Sequence, residues 1–237
     1  ATILRGTFDV PYTLQYHRTL PYVYPALQQL RWGMGWLAGA IAVLGLTHAA
    51  AQAVRDRAPT ATRVLLSWAL PYFFFVGGLY AKFPRYLLPI VPLLGVYAAH
   101  LVEEVSRRRR ALFPALSGVL LTGLMLRCLA LASLYRTPHP WVIATDWIRE
   151  RVEPGSVVAV EAWDHPLPLG AAEHGYALRE LPVFDEEGPG KWGAIEEILD
   201  EADYLILASR RGYASLGRWP DRFGRTVDYY DRLFGGE

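Results

Sequence analysis

The sequence predicts an α-helical integral membrane protein of about four transmembrane helices followed by a small α/β extracytoplasmic domain. Three observations predict it. Apolar residues make up 52% of the 237 residues and concentrate in the first 135. There they form long runs, and roughly 20 apolar residues suffice to cross a ~30 Å hydrocarbon core. From Thr137 onward the pattern changes to short helix-like and strand-like segments of mixed polarity. The net charge of +1 and the mean hydropathy of +0.14 average over this asymmetry. Two regions are therefore expected, a transmembrane region 1–135 and a soluble domain 136–237.

Residues 1–32 are rich in tyrosine and proline, and prolines at 11, 21 and 25 break any long helix. Tyr12, Tyr16, Tyr22 and Tyr24 suit a segment lying along a membrane interface, where amphipathic rings collect. A short helix from Pro25 to Trp32 leads into the membrane. The first span is expected near 33–54, rich in Ala and Gly, which favours close helix packing. The second is expected near 64–81, with Pro71 inside, which membrane helices tolerate. The third is expected near 86–102 and the fourth near 111–134. The single cysteine, Cys128, lies in the fourth apolar run, so it forms no intrachain disulfide and no metal-ligand cluster.

Orientation follows from the cations. Arg55, Arg57 and Arg63 occupy the loop after the first span, and four consecutive arginines occupy 107–110. With four spans these two loops share a side, and the positive-inside rule makes it cytoplasmic. The chain then reads as a multi-pass cell-membrane protein. The opening segment, the hinge Lys82-Phe83-Pro84-Arg85-Tyr86 and the C-terminal domain face outward.

The domain from Thr137 reads as an amphipathic helix at 140–152, a buried strand at 156–160 and a second strand at 178–183. An amphipathic helix at 191–202, a strand at 203–208 and short helices at 210–217 and 228–234 follow. Strands joined this way through helices predict a largely parallel sheet.

The hinge supplies the strongest candidate site. Lys82 and Arg85 lie on the side of the membrane that carries fewer cations, and a proline-fixed turn presents them together with the Tyr86 hydroxyl. Two cations and a donor can bind a phosphate ester. The competing reading is that they anchor helix ends by reaching to the headgroups. Arg127, inside the fourth span, is read equally as functional or as snorkelling. His48 and His100 are read as structural. Gln15, Tyr16 and His17 form either the wall of a substrate cavity or interfacial packing. Glu161, Asp164, His165 and His174 offer an acid/base or metal group in a loop after a strand, where sites often lie, but they match no metal-ligand spacing, and a solvated loop is the favoured reading. Ser209-Arg210-Arg211 could meet an anion, but no glycine-rich phosphate loop is present.

Several strings resemble the GT-C glycosyltransferases of the protein-mannosyltransferase and aminoarabinose-transferase type. They are Pro11-Tyr12-Thr13 with Gln15-Tyr16, Thr19 and Pro21-Tyr22, then Trp32-Gly33-Met34-Gly35, then Lys82 to Pro89 with Pro92. The tail motifs Ala202 to Ser209, Arg211 with Tyr213, and Tyr229-Tyr230 with Leu233-Phe234 are similar to the soluble tail of bacterial members. The resemblance implies transfer of a sugar from a polyprenyl-phosphate donor to an acceptor on the outer face of the membrane. It implies that Lys82, Arg85 and Tyr86 bind the lipid-linked phosphate, with Gln15 and Tyr16 lining the cavity. The family's acidic residue lies in a loop that nothing here matches, so neither Asp9 nor Asp164 receives a catalytic role. The expectation is the C-terminal part of such an enzyme, inactive alone, with any divalent cation held by residues outside this chain. The expected partners are the lipid bilayer, the polyprenyl-phosphate sugar and an unnamed acceptor, with no nucleic acid. Two alternatives stand beside it: a non-enzymatic membrane protein whose outer domain binds a ligand or partner, and a transporter, against which four spans without an inverted repeat argue.

Overall fold

The structure is a computed structural model and describes residues 10–107 and 109–236. Asp9 and Arg108 lie outside the described residues. The chain divides into two compact units. One holds Thr19–Arg136, and the other holds the described residues up to Arg18 together with those from Thr137 onward.

The first unit is helical. α1 (Val23–Gln28) runs on as a π-helical turn, Gln29–Gly33. α2 (Trp36–Val54), α3 (Thr60–Gly77), α4 (Val91–Ser106) and α5 (Leu112–Ser133) follow. Among the described residues three helices are long and apolar enough to cross a membrane: Trp36–Val54, Pro84–Ser106 and the helix that begins at Leu112. The expected second span at 64–81 is α3, shifted four residues toward the N-terminus. It starts after Pro59, and the pair Gly77-Gly78 closes it. The shift draws Arg63 into its first turn, where the guanidinium meets the Ala58 carbonyl at 3.0 Å and Asp56 at 3.0 Å. The α3 helix is not among the three.

The expected third span also differs at its start. Pro84–Ile90 is a 3-10 helix, and α-helix begins only at Val91. Pro84, Pro89 and Pro92 lack the N–H groups that an α-helical ladder would need there. Packing inside this unit uses small residues. Ala38, Gly39, Ala42, Gly45 and Ala49 are buried along α2. A Cβ on Gly45 would collide with the carbonyl of Tyr97 on α4, so this glycine permits the close approach. Tyr97 in turn packs with Ala49 and Leu66. No residue of α5 is buried, and a helix this apolar and this exposed suits lipid as its solvent.

The second unit is α/β. α6 (Pro140–Arg151) precedes β1 (Val157–Glu161). A 3-10 turn at Ala171–His174 leads to β2 (Ala177–Leu181). α7 (Pro189–Glu201), β3 (Tyr204–Ile206), α8 (Arg211–Leu216) and α9 (Gly224–Gly235) complete it. The sheet order is β2-β1-β3, with both pairings parallel. Val158 stands opposite Leu178 on one side and Tyr204 on the other. β1 is central and covered on both faces, which explains its unbroken apolar run. Ala159 joins Leu181, Trp192, Ile195, Phe223 and Tyr230 on one face. Ile148, Val152, Leu167 and Tyr176 form the other cluster, with Leu178 and Ile206 against it.

The segment 10–18 belongs to this α/β unit and not to the transmembrane region assigned to 1–135. The cause is packing. Leu14 is 1% exposed within the cluster around Phe223, its carbonyl accepts the Trp219 indole N–H at 3.2 Å, and the His17 ring stacks on Trp219 at 3.6 Å. Of the four tyrosines expected at an interface, Tyr16 is buried in this unit, whereas Tyr22 and Tyr24 belong to the helical one.

Candidate functional site

The hinge is built by its prolines. Phe83 is extended and Pro84 takes the first position of the 3-10 helix. The two cations are unlike. Lys82 is 3% exposed, and its Nζ donates to the Tyr80 carbonyl at 2.9 Å and to Thr19 Oγ1 at 3.2 Å. Burial pushes its pKa below the usual lysine range. Arg85 is exposed. Its guanidinium lies 4.3 Å from the Phe83 ring centre and 5.8 Å from that of Tyr86. Those two rings meet edge-on at 5.5 Å. The Tyr86 backbone is held by the Tyr72 hydroxyl, which donates to the Tyr86 carbonyl at 2.7 Å. Among the described residues Arg85 is thus an aromatic-framed cation with no hydrogen-bond acceptor on its guanidinium, while Lys82 ties the hinge to Thr19 and Tyr80.

The five residues expected at the phosphate site fall in two units. Lys82, Arg85 and Tyr86 lie in the helical one, and Gln15 and Tyr16 in the α/β one. Tyr16 is 3% exposed, and the Gln15 carbonyl accepts from Arg218 at 2.7 Å. Both serve the packing of segment 10–18.

Arg127 has a structural task. Its guanidinium donates to the carbonyls of Arg31, at 3.2 Å, and of Trp32, capping the π-helical turn. Gly35 beside it has φ +81°, and a Cβ there would come within 3.1 Å of Arg127 Cδ.

The α/β unit gathers a second polar cluster, at the carboxyl end of its central strand. Glu161 is the last residue of β1 and only 2% exposed. The Tyr230 hydroxyl donates to Oε1, while Oε2 has no hydrogen-bond partner among the described residues. Gly212 of α8 closes over the carboxyl, and a Cβ there would collide with the Tyr230 hydroxyl. Among the described residues, Asp164 Oδ2 and the Tyr229 hydroxyl are likewise buried without hydrogen-bond partners. Burial raises the Glu161 pKa to about 7, the Tyr230 hydrogen bond opposes the rise, and the Asp164 charge adds to it. Burial and the Glu161 charge push Tyr229 up to about 12 and Tyr230 higher still. Glu161 can therefore hold or release a proton near neutrality. The β2-β1-β3 order makes this the point where connections leave to opposite sides, the usual place for a ligand crevice in an open parallel sheet. The carboxyl nevertheless faces the interior.

Sequence reading took Glu161 as a solvated loop residue. The structure corrects this, because Glu161 continues the strand and its side chain lies on the same face as Ala159. The legible signal was a carboxylate closing an otherwise apolar strand. Its partnership with Tyr229 and Tyr230 spans almost 70 positions and left no local trace. His165 stays apart from the cluster, stacked on Trp141 at 4.8 Å.

Compared with models of known families, with curated proteins and with solved structures, the chain matches none.

Proposed function

We propose that this chain works in glycosyl transfer of the GT-C type, using a polyprenyl-phosphate-linked sugar as donor at the outer face of a cell membrane. The observation that carries the reading is Arg85: an exposed guanidinium framed by Phe83 and Tyr86, where an apolar helix begins. A planar guanidinium with open donors suits a phosphate diester better than a point charge does. Lys82 supports it from within by fixing the turn. In this reading α3 crosses the membrane as the fourth span, which its 18 residues, ~27 Å of helix, nearly allow. The hinge and the α/β unit then face outward. Among the described residues no group of three or more His, Cys, Asp or Glu side chains is placed to hold a metal, and no step of the proposal runs through one.

The test is binding of undecaprenyl phosphate to the chain in lipid nanodiscs, with undecaprenol as the uncharged control. Arg85→Ala should weaken phosphate-dependent binding about tenfold, the loss of one charge-assisted contact. Arg85→Lys should recover only part of it. Equal binding of phosphate and alcohol, or no effect of Arg85→Ala, would sink the proposal.

A further inference from the structure

We propose that α6 is a membrane-surface helix, with its exposed apolar flank and the cleft it shares with β3 covered by the headgroup–acyl boundary of the bilayer. The inference needs only the apolar helices and not the glycosyltransferase reading.

The helix has two apolar sides where a soluble helix needs one. Thr145 and Ile148 are buried, and Val152 after the helix continues that face against the sheet. A second flank is left open, with Ile143 55% and Trp147 54% exposed. This flank does not close onto the neighbouring strand. Between it and β3 lies an open cleft of about 770 Å³, lined by Trp141, Ile143, Ala144, Trp147, Tyr204 and Ile206 among others. Among the described residues β3 pairs only with β1, so the cleft runs along an edge strand of the described sheet.

Three observations name lipid as the cover. Pro140 follows Ser133, the last residue of α5, by seven positions, a reach of at most about 25 Å. No residue of α5 is buried, so the chain leaves an apolar helix open to lipid immediately before α6. The intervening Leu134 and Tyr135 are 68% and 91% exposed. The flank also has interfacial chemistry. Trp141 and Trp147, with Tyr204 across the cleft, suit the headgroup layer, and the Arg151 guanidinium lies 5.0 Å from the Trp147 ring. Arg149 and Arg151 are balanced on the helix by Asp146 at 3.9 Å and Glu150 at 3.1 Å. Apolar burial and not anionic lipid should therefore drive the contact.

The single cysteine allows a direct test. In a Cys128→Ser background, spin labels at Ile143→Cys and Trp147→Cys are compared with one at Glu197→Cys on α7, using the full chain in phosphatidylcholine nanodiscs. The expected result is a severalfold higher ratio of oxygen to nickel-chelate accessibility at 143 and 147 than at 197. That ratio should change little when phosphatidylglycerol is added. Water-like accessibility at 143 and 147 would overturn the proposal. So would dipolar broadening between labels on two chains, which would make a second copy the cover.

Discussion

The two units solve opposite solvent problems with opposite residues. The buried positions along α2 are small, Ala42, Gly45 and Ala49, and they let Tyr97, Leu66 and Leu94 pack close, while many other large apolar side chains of the unit, such as Leu44, Phe75 and Leu121, are exposed. In the α/β unit the large side chains are inside, Phe223, Leu181, Ile195 and Trp192, all at 5% exposure or less. Lipid does not drive apolar side chains inward, so helices there are held by close backbone approach; water does, so the sheet is held by volume. Both units bury an ionisable group: the helical unit exposes Arg85 but buries Lys82 against Thr19 and Tyr80, and the α/β unit buries Glu161 against Tyr230.

Four substitutions would break or sharpen this contrast. The largest effect is expected at Phe223→Ala, ~3–5 kcal/mol against the α/β unit, from lost transfer energy and the cavity left behind. It reads as a lower urea midpoint of near-ultraviolet tryptophan dichroism. Next is Glu161. Its pKa is raised from 4.5 to about 7, so across that window the native state holds a proton that the unfolded chain has lost. Stability from this group is fully present below 4.5 and is lost as pH rises through 7, on the order of 3 kcal/mol in all. Glu161→Gln should flatten the urea midpoint between pH 5 and 8. A midpoint that rises with pH in the native chain would reverse the sign and refute the assignment.

Gly45→Leu comes third. Its side chain would meet the Tyr97 carbonyl and force α2 and α4 apart, costing about 1–3 kcal/mol. Thermal aggregation in detergent should begin at a lower temperature, while the urea midpoint of the α/β unit stays put. The smallest effect is expected at Leu121→Ala on α5, a leucine 64% exposed. If α5 faces lipid, the change should stay within about 0.5 kcal/mol. A loss as large as at Phe223 would mean that α5 packs against protein and that the contrast fails there.

Much of the architecture is readable from the chain. The apolar run at 111–134 becomes α5, and Ser156 to Val160 anticipates β1 within one residue. The amphipathic pattern at 191–202 becomes α7, begun two residues earlier because Pro189 suits the first helical turn. The expected strand at 203–208 shrinks to Tyr204–Ile206, since an edge strand needs only the pairing that β1 offers. The candidate site is less readable. A string of two cations and a tyrosine gave no sign that Lys82 reaches inward to Thr19, 63 positions away.

Local and repetitive features are written in composition: the apolar helices, the periodicity of α6 and α7, and the chemistry available in Lys82-Phe83-Pro84-Arg85-Tyr86. Solvent preference and backbone sterics act over a few residues, and composition records them directly. Tertiary structure alone decided that residues 10–18 pack with the α/β unit, that Arg85 and not Lys82 is the exposed cation, and that Glu161 meets Tyr230. Each depends on a contact between distant segments, and the free energy of such a contact comes from burial that exists only once both segments are in place.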